Sequence, residues 1–159
     1  MQLGFSYVGA VMLALLFVPN IIWTRHKPRG YEQSVGRESR LLQGLERTGE
    51  VLVTGFSLIF SDFNLRPPDF RSLWLVGAGV LMVLYELFWI RYFRSEQTMK
   101  DFYSSLLGIP VAGATLPVLA FLLLGIYGRV VWMLLATVIL GIGHIGIHLQ
   151  HRRRLEGTL

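Results

Sequence analysis

Four stretches of the chain are almost free of charge. Residues 1–24, 102–128 and 130–151 contain no Asp, Glu, Lys or Arg, and residues 72–90 contain one, Glu86. About 20 apolar residues in a row carry a helix across the hydrocarbon core of a bilayer. Within that core only a helix or a closed barrel satisfies its own backbone hydrogen bonds. Runs of this length, packed into 159 residues, are too many for the interior of a small soluble domain. The chain therefore reads as an all-α integral membrane protein, a multi-pass bundle in a cell membrane of the bacterial inner-membrane type. Its charged fraction of 16% agrees, being well below the quarter usual in soluble domains.

A fifth crossing is expected at 46–65, although its uncharged core, Val51 to Ser61, is short. Loop charge decides the count. With five spans, at about 3–23, 46–65, 72–91, 103–127 and 130–149, 12 Lys and Arg fall on one side and 3 on the other. Without the second span the split becomes 6 against 9. Positive residues gather on the cytoplasmic side, so the expectation is a five-helix bundle with its N-terminus outside and its C-terminus in the cytoplasm. Trp23, Trp74, Trp89, Tyr92, Tyr103 and Tyr127 lie near span ends, where aromatic belts form.

The same pattern assigns the net charge of +5 to topology and membrane lipid, and argues against nucleic acid as a partner. The absence of cysteine excludes disulfide frameworks, thiolate metal sites and Cys nucleophiles. The first span has no positive residues ahead of it and no small-residue cleavage site, so it is expected to be retained rather than removed as a signal peptide. In the cytoplasmic loop 24–45, Val35, Leu41, Leu42 and Leu45 with interspersed charges predict an amphipathic helix, lying on the membrane surface or running into span two. Pro67-Pro68 marks the outer turn. Residues 155–159 read as a cloning remnant, leaving 1–154 as one transmembrane domain.

Ionisable groups inside spans are costly, and they face the bundle interior or a water-filled cavity. Alternating span direction places Asn20, Glu46, Glu50, Glu86, Ser104, His144 and His148 at a similar depth, in the inner half of the membrane. At about 100° per residue, Thr137, Gly141, His144, His148 and His151 share one stripe of span five. Glu46, Glu50, Ser57 and Ser61 share another on span two. Both stripes are expected to face inward.

Three functions fit such a cluster. One is a cytoplasm-facing cavity that binds or translocates a small ligand, a proton or an ion, with Asn20, Glu46, Glu50, Glu86, Ser104, His144 and His148 as its polar wall. The second is a metal-dependent intramembrane enzyme. His144 and His148 stand four residues apart on one helix face, and with Glu86 or Glu50 as a third ligand they can hold a divalent transition metal. The motif His-Ile-Gly-Ile-His lacks the built-in base of His-Glu-x-x-His proteases. The third is structural, with the carboxylates pairing to basic residues and setting the helix packing. A hydrolase built on Ser104 or Ser105 is disfavoured because no Gly-x-Ser-x-Gly turn is present. Pro110 and Pro117 in span four free backbone carbonyls and allow kinks that suit a cavity wall.

Overall fold

All regular structure in the computed structural model, which describes residues 1–34 and 38–157, is helical. Five longer helices, α1 (Tyr7–Trp23), α3 (Arg40–Ile59), α4 (Ser72–Arg94), α6 (Ala112–Gly128) and α7 (Val131–Leu155), are joined by two single turns, α2 (Tyr31–Ser34) and α5 (Met99–Phe102). Two of them, α4 and α7, are long and apolar enough to cross a membrane. Helices α1 and α6 are apolar but only 17 residues each. Helix α3 segregates its polar and apolar residues onto opposite faces.

The five helices close into a ring, in the spatial order α1, α3, α7, α6, α4 and back to α1. Glycines mark where neighbours approach. A Cβ on Gly49 would lie 2.5 Å from Leu140 Cα, and one on Gly143 would lie 2.3 Å from the Glu46 backbone nitrogen, so α3 and α7 touch backbone to backbone, as small residues permit. Gly9 meets Ser57 between α1 and α3, Gly113 meets Phe88 between α4 and α6, and Gly125 meets Met133 between α6 and α7. These pairings, with the Asn20–Tyr85 contact between α1 and α4, make successive long helices run in alternating directions.

One end of the ring is sealed by the N-terminal segment. Gly4 and Ser6 donate to the carbonyls of Ile59 and Leu58, and Ser61 donates to that of Gln2. Asp62 receives the Gln2 amide and faces the terminal amine, while Asn64 Oδ1 receives the Tyr7 amide. This pairing ends α3 at Ile59, where the sequence pattern carried the second span on to residue 65. At the opposite end α3 starts at Arg40, so Leu41, Leu42 and Leu45 belong to the same helix as Glu46 and Glu50. The predicted amphipathic helix thus runs into the second long helix; Val35 and Arg37 lie outside the described residues, as do Thr158 and Leu159.

Helix α6 begins nine residues later than the predicted start of span four. Gly108 at φ +81°, Pro110 and a tight Leu106–Ile109 pairing break the helix, and Val111 at φ 42° turns the chain into it. Pro110 therefore lies outside the helix and Pro117 within it. Of the expected belt aromatics, Trp89, Tyr92, Tyr103 and Tyr127 are buried within the protein, and Trp74 is exposed.

Candidate functional site

The ring encloses a cavity of about 930 Å³, which all five long helices line. Its polar wall belongs mainly to α3 and α7. These helices are antiparallel and locked together at Gly49 and Gly143, so Glu46 falls opposite His144 and Glu38 opposite His151. Glu46 Oε1 and His144 Nδ1 share a hydrogen bond of 2.5 Å. A carboxylate only accepts, so Nδ1 carries the hydrogen of this bond. Glu50, one turn along α3, completes a triad in which one ligand atom each from Glu46, Glu50 and His144 lie within 4.8 Å of one another.

His148 follows one turn along α7. Its ring centroid is 4.6 Å from that of His144, and it packs against Phe102 and Tyr103. Its Nδ1 is shielded from solvent and has no hydrogen-bond partner among the described residues. Buried polar atoms are almost always paired; this nitrogen and the indole nitrogens of Trp23 and Trp89, which line the same cavity, have no hydrogen-bond partner among the described residues. The stripe ends at His151, whose Nε2 meets Glu38 Oε1 at 2.9 Å with both side chains buried. Tyr103 stacks on the His151 ring at 5.2 Å. Gln43 donates to the second Glu38 oxygen.

Asn20 reaches the cavity from α1, beside Pro19. Its side-chain amide donates to the Leu16 carbonyl at 2.7 Å and to the Tyr85 hydroxyl at 2.8 Å, which ties α1 to α4. Tyr31, from α2, closes the same end; burial together with the nearby Glu38 and Glu46 pushes its phenol up from the ordinary range.

Five of the seven predicted polar residues line the cavity: Asn20, Glu46, Glu50, His144 and His148. Glu86 does not. Helix α4 turns Tyr85 and Trp89 to the cavity, and Glu86 is rotated about 100° away from Tyr85. Its Oε1 is buried without a partner among the described residues, and Glu86 is absent from the triad that could hold a metal. Ser104 also lies outside. Its hydroxyl donates to the Asp101 carbonyl and accepts from Arg91 at 2.5 Å, while Ser105 accepts from Arg152 at 2.8 Å. Both serines hold arginines at the helix ends and neither is paired with a histidine.

Residues outside the predicted set complete the wall. Glu38, Trp23, Tyr31, Tyr85, Trp89 and Tyr103 all line the cavity. Trp23 stacks on Phe102 at 5.3 Å and meets Tyr31 edge-on at 5.0 Å. The rest of the wall is apolar, from Leu16, Val53, Val118, Phe121 and Leu140. Such a cavity, mostly apolar with a few converging polar groups, has the size and make-up of a small-molecule site. Searched against protein families, curated proteins and solved structures, the chain matches none of them.

Proposed function

We propose that this chain is a five-span membrane protein, N-terminus outside and C-terminus in the cytoplasm, that binds a small molecule or ion in the cavity within its helix ring. The observation that carries the reading is the 930 Å³ cavity with Glu46, Glu50, His144 and His148 on one wall. Two features support five crossings. The long helices alternate in direction, and α3 turns its carboxylates to the cavity, which is where a charge in a span is tolerated. The polar wall lies toward the end of the ring that carries Arg91, Arg94 and Arg152–Arg154, the end that the positive-inside rule assigns to the cytoplasm.

The test is native mass spectrometry of the protein extracted in mild detergent, compared with Gly55→Phe. Gly55 lines the cavity one turn from exposed Val51, and a Cβ there meets nothing within 4 Å, so an aromatic side chain has room to obstruct the mouth of the cavity without displacing the backbone. The wild type should carry a noncovalent small-molecule adduct that the variant lacks. Identical adducts on both proteins, or none on the wild type, would defeat the reading.

A divalent transition metal is the second reading, favoured by the 4.8 Å grouping of Glu46, Glu50 and His144. These residues supply two carboxylate oxygens and one imidazole nitrogen, donor types that bind zinc. The metal would polarise a substrate or activate a bound water there. Elemental analysis after chelator-free purification should find stoichiometric metal in the wild type and none in His144→Ala; no metal in either would remove this reading.

A further inference from the structure

The make-up of the cavity wall points to a class of ligand, on the premise that the cavity is a ligand site at all. Three carboxylates line it, Glu38, Glu46 and Glu50, against one guanidinium, Arg47. Glu38 is bound by His151 and Gln43. Glu46 and Glu50 stand one turn apart on α3, with oxygens within 4.8 Å. Like charges four residues apart on a helix disfavour each other, and of the two only Glu46 has a hydrogen-bonded partner, His144, among the described residues. A positive group between them relieves that repulsion.

A metal ion or a proton would do this, but neither accounts for the rest of the wall. Eight aromatic side chains line the same cavity, Trp23, Tyr31, Tyr85, Trp89, Phe102 and Tyr103 among them. Aromatic rings beside carboxylates are how proteins hold alkylated ammonium groups, by cation–π attraction. The apolar wall across from them has room for hydrocarbon. The cavity also reaches the outer surface of the ring between α1 and α3. Phe17 and Val51 line it while 43% and 72% exposed, and the glycine-mediated contact of these two helices lies toward their other end, at Gly9 and Ser57.

We infer that the cavity takes a cationic amphiphile, its ammonium head held by Glu46, Glu50 and the aromatic rings, its hydrocarbon body on the apolar wall, with access sideways from the bilayer between α1 and α3. An ammonium head of this kind belongs either to a free alkylamine or to a choline-headed lipid.

The test measures binding of radiolabelled decyltrimethylammonium, decyl sulfate and decanol to the purified full chain in dodecyl maltoside. Saturable binding of the cation alone is expected, near one equivalent. Glu50→Gln should weaken it about tenfold or more, as loss of a charged partner does, and Gly55→Phe should abolish it. The Gly55→Phe arm keeps the test valid if Glu50→Gln fails to fold. Displacement of the cation by added phosphatidylcholine identifies the lipid as its source, and lack of displacement identifies a free amine. Equal binding of decyl sulfate or decanol, or unchanged cation binding in Gly55→Phe, would overturn the inference. In the first case the cavity would still be a ligand site; if no probe binds the wild type, the inference falls, and the native mass spectrum alone decides whether the cavity is a ligand site.

Discussion

Gly143→Ala is the sharpest probe of how the site is assembled. The added Cβ would sit 2.3 Å from the Glu46 backbone nitrogen, 2.7 Å from the Leu42 carbonyl oxygen and 2.8 Å from Glu46 Cα. All three are main-chain atoms and cannot rotate aside. Comfortable contact needs about 3.5 Å, so α3 must retreat by about 1 Å, which also lengthens the Glu46–His144 hydrogen bond. Overpacking of this kind costs about 1–3 kcal/mol, partly offset by the ~1 kcal/mol that alanine gains over glycine within a helix. The same substitution at Gly44 or Gly55, where a Cβ meets nothing within 4 Å, should show that gain without the strain. The two kinds of variant should therefore melt on opposite sides of the wild type. At ~2–4 °C per kcal/mol, their midpoints should differ by several degrees. Thermal melts in detergent, followed by the fluorescence of buried Trp89 and the other tryptophans, give the comparison. If Gly143→Ala is as stable as Gly55→Ala, α3 and α7 do not meet at Gly143 and the triad is not built as described.

His151→Ala should cost about 2–3 kcal/mol, because it strips Glu38 of a buried partner; the double variant His151→Ala/Glu38→Ala should cost less than the sum of the two single changes in the same melts. Hydrogen bonds from the Thr98 backbone N–H and hydroxyl hold the Asp101 carboxyl below its ordinary range. The folded protein thus binds that proton more weakly than the unfolded chain, and the stabilisation is complete above the unfolded value of about 4 and fades as pH falls below it. The stability difference between wild type and Asp101→Asn, followed from pH 6 to pH 3, should narrow over the acid end of that range; a constant difference would show that the cap does not act through the charge. Because the chain has no cysteine, single Cys substitutions report sidedness directly. With five crossings, Pro68→Cys reacts with an impermeant maleimide on intact cells, and Glu96→Cys reacts only after permeabilisation; labelling of both from outside would exclude that topology.

The histidine stripe of α7 was legible because helical phase alone decides it. His144, His148 and His151 do line the cavity, Thr137 is buried without lining it, and Glu46 and Glu50 of the stripe on α3 supply the facing carboxylates. Glu86 illustrates the limit of depth as a guide. It lies at a suitable level along α4, but depth says nothing about rotation, and the large aromatic residues Tyr85 and Trp89 claim the inward face. Those aromatics were the chief omission. In a bilayer an apolar ring is at home both in lipid and in the interior, so hydropathy cannot separate a cavity-lining Trp89 from an interfacial anchor. Packing against Phe102 makes that distinction, and it is a property of two separate chain segments. Glu38 escaped notice for a related reason. It sits in a charged loop, and only the antiparallel register of α3 and α7, set by Gly49 and Gly143, brings it to His151. The late start of α6 was foreshadowed by Gly108 and Pro110, which an uncharged run of residues concealed.

The most direct measurement is an experimental density map of the protein extracted with its native lipids into a nanodisc. A ring of five membrane-crossing helices should appear, with elongated non-protein density inside it, one end between Glu46, Glu50 and the Trp23–Phe102 stack, the other along Val118 and Phe121. A bundle in which Glu46 and His144 face separate surroundings, or whose centre is filled by its own side chains, would contradict the account.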